Sequence, residues 1–293
     1  MPRFSSILPY WKHLRLHFQL ALAPLFLWGF FLGGGRAGAT PILAFASLHF
    51  FLYPGITAFN SAYDRDAGPV SGLREPPPVP PGLLAFSILL QLAGAAIALA
   101  AGPRFLVIYA AIAVLAALYS HPAVRLKARP FASAATVAIG QGALGFAAGW
   151  FAASPAEELW TERGALGAAG AALTTLGLYP ATQVFQTGED SRRGDRTLAV
   201  VLGPARALRL GGLCLLAAGA VTVLLAARQF GAVDTALLAT AFGAMLLNQE
   251  SFARATEGGR LTAAAMYRRA MRSYYLSAAG LLLFIGYRAL FHS

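Results

Sequence analysis

Acidic residues and cysteine are scarce in this chain. Asp and Glu together number 12 among 293 residues, charged residues of both signs make up only 12%, and there is one cysteine. A soluble globular protein carries about twice that charged fraction, so the composition excludes an ordinary soluble domain. A single cysteine excludes an intramolecular disulfide, and Cys214 lies in an apolar run where it is a small core or lipid-facing residue.

Hydrophobic residues, in contrast, make up 57% of the chain and recur in runs long enough to cross a bilayer. We therefore predict an all-α integral membrane protein that forms a single domain over residues 1–293. The predicted spans are nine in number, at roughly 16–33, 41–62, 82–101, 104–120, 131–152, 164–186, 206–227, 231–249 and 273–291.

The strongly basic balance has two explanations. A net charge of +11 is compatible with nucleic-acid binding, but in a membrane protein basic residues hold loops in the cytoplasm. When alternate connections are assigned to opposite sides, 18 of the 23 Lys and Arg residues fall on one side. We therefore expect no nucleic-acid partner, a cytoplasmic N-terminus, an external C-terminus and a bacterial inner membrane as the location.

The most informative stretch is 60–69, where an apolar segment ends in acidic residues. Asn60 and Asp64 are four residues apart and share one face of a helix, while Gly68 predicts that the helix ends and that Asp66 turns back. Carboxylates at a helix C-terminus meet the partial negative charge of free carbonyls. A bound hard cation such as Mg²⁺ would relieve that conflict; the alternative is a polar loop that caps a membrane helix.

A second acidic stretch follows the sixth predicted span. Both stretches lie on the cytoplasmic side, and the loop after span 4 is purely basic between residues 123 and 130. Six of the twelve acidic residues lie in these two loops: Asp64, Asp66, Glu75, Glu189, Asp190 and Asp195. Two facing carboxylate groups surrounded by Arg and Lys suit a bound Mg²⁺–diphosphate, because the carboxylates hold the metal and the cations contact the phosphate oxygens.

These motifs, in this order, resemble the UbiA superfamily of membrane prenyltransferases. The family's first motif, Asn-x-x-x-Asp-x-x-x-Asp with an extra Asp in the second gap, is matched by Asn60, Asp64 and Asp66, with Gly68 where the last Asp is expected. In the second motif, Asp-x-x-x-Asp, Asp190 is matched and Gln186 replaces the first Asp. The family's connection between spans 4 and 5 is matched by a third stretch, residues 119–130.

The resemblance implies nine helices around a central cavity, capped on the cytoplasmic side by the motif loops. It also implies an enzyme, a Mg²⁺-dependent prenyltransferase that moves an isoprenyl group from an allylic diphosphate to a hydrophobic acceptor. The implied metal ligands are Asn60, Asp64 and Asp66 for one ion and Asp190 with Glu189 for another. The implied diphosphate contacts are Arg74, Lys127, Arg193 and Arg125. Tyr119 is implied to face the reacting carbon, and its alternative role is an interfacial anchor.

The departures at Gly68 and Gln186 each remove an expected ligand. They leave open weaker binding of one ion, a substitute carboxylate such as Glu189, a divergent acceptor class, or loss of catalysis. The competing function is a non-catalytic carrier or transporter of an isoprenoid or other amphiphile. Transporter sites lie near the bilayer midplane, whereas the charges here crowd one face, which favours the enzyme. An aromatic or quinone-precursor acceptor is expected, without its identity being fixed.

Overall fold

The computed structural model describes residues 7–153 and 159–291, and helices are the regular structure of this part of the chain. The α-helices are, in chain order, α1 (Leu8–Leu14), α2 (Leu16–Gln19), α3 (Ala23–Leu32), α4 (Ala39–Ala46), α5 (Tyr53–Asp64), α6 (Leu83–Ala101), α7 (Pro103–Ser120), α8 (Pro130–Val137), α9 (Leu144–Ala153), α10 (Glu162–Gln183), α11 (Thr187–Arg193), α12 (Leu198–Leu202), α13 (Pro204–Gln229), α14 (Ala232–Thr256) and α15 (Ala263–Phe291). Short 3₁₀ segments cover Leu20–Leu22 and Leu126–Ala128, and π-helical segments cover Ser47–Leu52 and Ala138–Ala143.

These elements form long helical stretches at each of the nine places where the sequence predicts a span, so the predicted all-α membrane fold is confirmed. Within the described ranges, seven stretches are long and apolar enough to cross a membrane: Leu8–Leu32, Ala39–Asp64, Leu83–Ala101, Pro103–Ser120, Pro130–Ala153, Pro204–Gln229 and Ala263–Phe291. The protein is therefore an integral, multi-pass membrane protein. The two other long helices are less apolar, since α10 is rich in Gly, Ala and Thr and α14 contains polar residues.

Two helices are longer than the apolar pattern predicts. Helix α14 continues from the expected end near residue 249 to Thr256, and α15 begins ten residues before the expected start at 273. The added turns carry charges, including Glu250 and Arg254, whose side chains pair at 2.8 Å one turn apart. A hydropathy pattern stops where charges begin, whereas a helix continues because such pairs and its own backbone hydrogen bonds support it outside the bilayer.

Close helix contacts depend on glycines with no room for a side chain. A Cβ at Gly149 would lie 1.8 Å from the carbonyl oxygen of Phe26, where α9 packs against α3. A Cβ at Gly211 would lie 2.4 Å from the carbonyl oxygen of Gly177, where α13 packs along α10. Small residues let helix backbones approach closely in membranes, where packing rather than water exclusion drives association.

The π-helical segment Ala138–Ala143 joins α8 to α9 without ending the helical stretch. A π turn holds about one residue more than an α turn and is often found near functional sites. Gly142 in this segment packs against α10, because a Cβ there would lie 2.5 Å from the Cα of Ala172. The neighbouring Gln141 lines the central cavity described below.

Candidate active site

The first acidic motif sits at a helix end, as the sequence predicts. Helix α5 ends at Asp64, and the next residue, Arg65, adopts a left-handed backbone conformation with φ 50°. This conformation stops the helix and reverses the chain. Asp66 consequently returns to the same cavity that Asn60 and Asp64 line from α5.

The second acidic motif is carried by a short separate helix. Helix α11 begins after Gln186 and ends at Arg193, and the next residue, Gly194, has a φ of 82° that suits glycine. Asp190, in the first turns of α11, accepts a hydrogen bond from the Thr197 hydroxyl at 3.3 Å. The side chains of both Gln186 and Asp190 line the same cavity as the first motif.

One cavity of about 200 Å³ therefore receives both motifs. Its open end, here called the acidic mouth, is formed by Asp64, Asp66, Lys127, Asp190 and Arg193. Below the mouth the lining changes to mainly apolar and aromatic residues, among them Ile112, Leu115, Val137, Tyr53 and Tyr179. The cavity thus joins a charged end to an apolar interior, which suits an amphiphilic ligand with a charged head.

Basic side chains hold the carboxylates of the acidic mouth. The Lys127 ammonium donates to a carboxylate oxygen of Asp64 and, at 3.4 Å, to the side-chain oxygen of Asn60. Arg193 donates to Asp66 at 2.7 Å. These cations are placed where a ligand's phosphate oxygens could replace the carboxylates as their partners.

Arg125 ties the two motifs together from the connection after α7. Its guanidinium donates to both carboxylate oxygens of Asp195, at 2.9 and 2.8 Å, and to Asp64 at 3.2 Å. The bidentate bond to Asp195, the two charges and the bond to Asp64 together outweigh burial and raise the pKa of Arg125. The two parallel bonds hold the Asp195 carboxylate in one orientation beside a permanent positive charge.

Burial and neighbouring charges shift the pKa values of side chains in the acidic mouth. Burial, followed by the charge of Asp195, raises the pKa of Asp190 to about 7. Burial, followed by the charge of Asp64, also raises the pKa of Asp66. Burial lowers the pKa of Lys127 against the opposing attraction of Asp64. Carboxylates whose pKa values are raised by burial and by neighbouring carboxylates mark a candidate functional site.

The oxygen ligands present fit Mg²⁺, although they are not yet assembled around one point. The described residues contain no group of three or more His, Cys, Asp or Glu side chains already arranged to hold a metal ion. Lys127, Arg125 and Arg193 occupy the carboxylates instead. The donors that line the cavity are nevertheless all oxygens: Asn60, Asp64, Asp66, Gln186 and Asp190. That set suits a hard cation that keeps water and phosphate as further ligands.

Three of the expected site residues are absent from the cavity lining: Arg74, Glu189 and Arg125. Arg125 reaches the site through Asp64 and Asp195, which do line the cavity. The Arg74 side chain is 57% exposed, pairs with Glu75 at 3.7 Å, and is absent from the cavity lining. Glu189 also stays out of the lining, and its carboxylate accepts hydrogen bonds from the backbone N–H groups of Ala67 and Gly68. The expected residues that do line the cavity are Asn60, Asp64, Asp66, Tyr119, Lys127, Asp190 and Arg193.

Tyr119 lies near the acidic mouth, at the end of α7. Its hydroxyl forms a 2.8 Å hydrogen bond with the hydroxyl of Tyr179 on α10, and both rings line the cavity. The sequence does not signal Tyr179, because an aromatic residue within an apolar helix is usually part of the core. The pair fixes both rings against the cavity.

Arg15 is a second cavity residue that the sequence does not signal. It is only 7% exposed, lines the cavity, and donates to the Ser61 hydroxyl at 2.7 Å and to the Ser71 carbonyl at 3.2 Å. Its φ of 49° interrupts the first span between α1 and α2. In a charge count it is simply one more cytoplasmic arginine. Its burial and its place in the cavity lining mark it as part of the site. Its left-handed backbone is shared, among the non-glycine residues described, with Arg65 and Arg125.

Known proteins share this architecture. A UbiA homologue from Archaeoglobus fulgidus bound to GPP and Mg²⁺ is 19% identical, with 95% of this chain and 99% of that chain covered and a TM-score of 0.67. The apo UbiA homologue from Aeropyrum pernix K1 is 20% identical, with coverages of 91% and 97% and a TM-score of 0.63. A digeranylgeranylglyceryl phosphate synthase structure is 15% identical, with coverages of 96% and 99% and a TM-score of 0.65.

At these identities the structural matches establish the fold. No curated protein sequence matches the chain. The sequence profile described as the UbiA prenyltransferase family, however, matches residues 22–271, which is most of the chain and includes both acidic motifs. Taken with the shared helical architecture, this match shows that the chain belongs to the UbiA prenyltransferase family.

Proposed function

We propose that this protein is a Mg²⁺-dependent intramembrane prenyltransferase. It moves an isoprenyl group from an allylic diphosphate to a hydrophobic acceptor, an aromatic or quinone-precursor compound, and releases diphosphate. The observation that carries the proposal is that Asp64 and Asp190, from motifs 126 positions apart in the sequence, line one cavity together with Lys127 and Arg193. The family's structures with GPP or DMAPP and Mg²⁺ support the same class of donor.

The ligand's charged head fits the acidic mouth. Asn60, Asp64 and Asp66 would hold one Mg²⁺ and Asp190 a second, and bound Mg²⁺ would neutralise the diphosphate as a leaving group. Lys127 and Arg193 are placed to exchange their carboxylate partners for phosphate oxygens. Arg125 and Arg15 add positive charge behind these residues. Arg74 would contribute only if its loop turned toward the mouth, since it now faces solvent.

The chemical step requires charge separation in a dry site. The C–O bond of the allylic carbon breaks with its electron pair on the diphosphate oxygen, the same carbon bonds to the acceptor, and the acceptor loses a proton. The Tyr119 ring lies beside the mouth and favours positive charge on that carbon. The apolar lining below the mouth, including Ile112 and Leu115, would hold the prenyl chain and exclude water.

Two positions, Gln186 and Gly68, lack the Asp that the family pattern has there. Gln186 keeps a carbonyl oxygen in the cavity, so it can still coordinate without adding charge. Gly68 supplies no side chain, and the nearest carboxylate oxygen to it belongs to Glu189. We infer weaker binding of one ion rather than loss of the reaction, because Asp64, Asp66 and Asp190 remain in place.

The orientation follows from charge. The acidic mouth opens on the side that carries most Lys and Arg residues, which supports a mouth that faces the cytoplasm. The membrane that we propose is a bacterial inner membrane. The N-terminus is then cytoplasmic and the C-terminus external. Soluble allylic diphosphates would reach the mouth directly, while the acceptor enters from the bilayer.

The decisive experiment measures Mg²⁺-dependent release of diphosphate from a prenyl donor in membranes that contain the protein. Asp64→Asn should lower release at least a hundredfold, since it removes a ligand charge and the partner of Lys127. Glu250→Gln, on the exposed end of α14, is the matched control. Full activity of Asp64→Asn would refute the site. Mg²⁺-dependent binding without turnover across donors and acceptors would instead favour a carrier.

A further inference from the structure

Glu189 belongs to α11 but makes its contacts with the chain that follows α5. One carboxylate oxygen accepts a hydrogen bond from the N–H of Ala67 at 3.0 Å, and the other accepts from the N–H of Gly68 at 3.2 Å. Arg193, one turn further along α11, donates to the same carboxylate at 3.4 Å. Each oxygen of Glu189 is thus engaged, and the carboxylate bridges segments 121 positions apart.

Gly68 makes this bridge possible because it leaves space. A Cβ at Gly68 would lie 3.0 Å from the nearer oxygen of Glu189, which is tighter than an ordinary van der Waals contact. A side chain there would have to displace the carboxylate or the loop. The backbone of Gly68 does not require glycine through a left-handed φ, so the requirement is for room.

The bridge lies directly behind two residues of the acidic mouth. Asp66 stands one residue before Ala67, and Asp190 stands one residue after Glu189. Arg193 links the same elements a second time, since it donates both to Asp66 and to Glu189. Asp66 and Asp190 line the cavity, whereas Glu189 does not.

We propose that Glu189 is a positioning residue that fixes the separation of Asp66 and Asp190, rather than a metal ligand. Its carboxylate joins the loop after α5 to α11 through two backbone amides. The metal affinity of the mouth therefore depends on Glu189 because Glu189 sets the distance between Asp66 and Asp190. This inference rests on the proposed function for its catalytic consequence, while the bridge itself can be tested without turnover.

The first test measures amide hydrogen exchange in metal-free protein held in nanodiscs. Glu189→Ala should speed exchange at least tenfold in peptides that cover residues 65–73, because the amides of Ala67 and Gly68 lose their acceptor. Glu250→Ala is the matched control, since Glu250 also pairs with an Arg four residues later but accepts no backbone N–H. Unchanged exchange in Glu189→Ala would overturn the proposal.

The second test separates a positioning residue from a ligand by counting bound Mn²⁺ by electron paramagnetic resonance in the presence of inorganic diphosphate. Loss of a supporting residue behind a metal site typically costs 10- to 100-fold in affinity. Glu189→Ala should therefore bind the same number of Mn²⁺ ions as the wild type, with affinity lowered by that factor. One ion fewer at saturating Mn²⁺ would overturn the proposal and make Glu189 a ligand.

Two further variants check the geometry. Glu189→Gln keeps one acceptor oxygen, so amide exchange in peptides that cover residues 65–73 should be slower than in Glu189→Ala. Exchange as fast as in Glu189→Ala would contradict the bridge. Gly68→Ala should weaken Mn²⁺ binding alone but add nothing to Glu189→Ala, because the two changes break one contact. Additive losses would contradict the bridge. If the wild type bound no Mn²⁺, the proposed function would fail while the exchange experiment still tested the bridge.

Discussion

Lys127 binds the carboxylate of Asp64, which we propose as a metal ligand, so the lysine and the metal ion should compete for it. The chain has two lysines, and Lys127 is the buried one, only 7% exposed, with its ammonium against Asp64 and Asn60. Both of these are proposed metal ligands. We predict that Lys127→Met binds Mg²⁺ more tightly than the wild type when no diphosphate is present, yet turns over donor more slowly.

The magnitude follows from the contact that the metal must replace. A hydrogen bond to a charged group contributes about 1.5–3 kcal/mol, and every 1.4 kcal/mol changes an equilibrium constant about tenfold. Removing the competing ammonium should therefore tighten Mg²⁺ binding roughly 10- to 100-fold. Arg125 remains 3.2 Å from Asp64 and prevents a larger effect. Turnover should fall by a similar factor, because the diphosphate loses a cationic partner.

The assay is a titration of donor-free protein with Mn²⁺ or Mg²⁺, followed by turnover at saturating metal. The chain's other lysine provides the control, since Lys12 is exposed on α1 and Lys12→Met removes the same charge away from the mouth. Equal or weaker metal affinity in Lys127→Met would refute the idea that the ammonium competes with the ion. Unchanged turnover would refute its contact with diphosphate.

Three other perturbations have defined outcomes. The pKa of Asp190 is raised to about 7 from an ordinary 3.8, so metal-free protein should lose stability as pH rises from about 4 to 7. Asp190→Asn should remove this loss and stabilise the protein by at most about 4 kcal/mol at pH 8. An unfolding temperature lower than that of the wild type in EDTA at pH 8 would contradict this. Tyr119→Phe removes only the bond to Tyr179 and should keep most turnover, whereas Tyr119→Leu removes the ring and should cost roughly 2- to 30-fold; equal rates for the two variants would exclude a role for the ring. Arg288→Met leaves Asp234, 3% exposed, without its 3.0 Å partner and should cost about 3–5 kcal/mol of stability, seen as a lower unfolding temperature that Asp234→Asn partly restores.

The helical frame could be predicted from the sequence because hydrophobic length is a direct signal. Apolar runs locate all nine stretches to within a few residues at most ends. The largest errors fall at α1, which precedes the predicted start of the first span, and where α14 and α15 continue past the bilayer on charged turns. The sequence also predicts that α5 ends before Gly68, because a Gly-Pro pair follows two carboxylates. These signals are local, so one sequence is enough to find them.

Partners across the bundle could not be predicted in the same way. Asp64 and Asp66 are recognisable from their spacing, but nothing local indicates that Glu189 contacts the backbone of Gly68 or that Arg125 binds Asp195 through two bonds. Arg15 illustrates the same limit, since its role depends on a left-handed residue and on Ser61, 46 positions away. Long-range contacts follow from how helices pack, which composition and periodicity leave open.

The π turn at Ala138–Ala143 should let this helix tolerate the deletion of one residue, a change that would disrupt the packing of an ordinary α-helix. An α-helix that loses one residue rotates everything beyond the deletion by about 100°, which would swing Gly149 away from the Phe26 carbonyl that it meets. Because a π turn already contains about one surplus residue, removing Ile139 can return that turn to ordinary α geometry with both flanks still facing as before. Only the part of the cavity lining at Gln141 would change shape. Deleting this one residue should therefore alter the cavity while the packing of the flanking helices is kept.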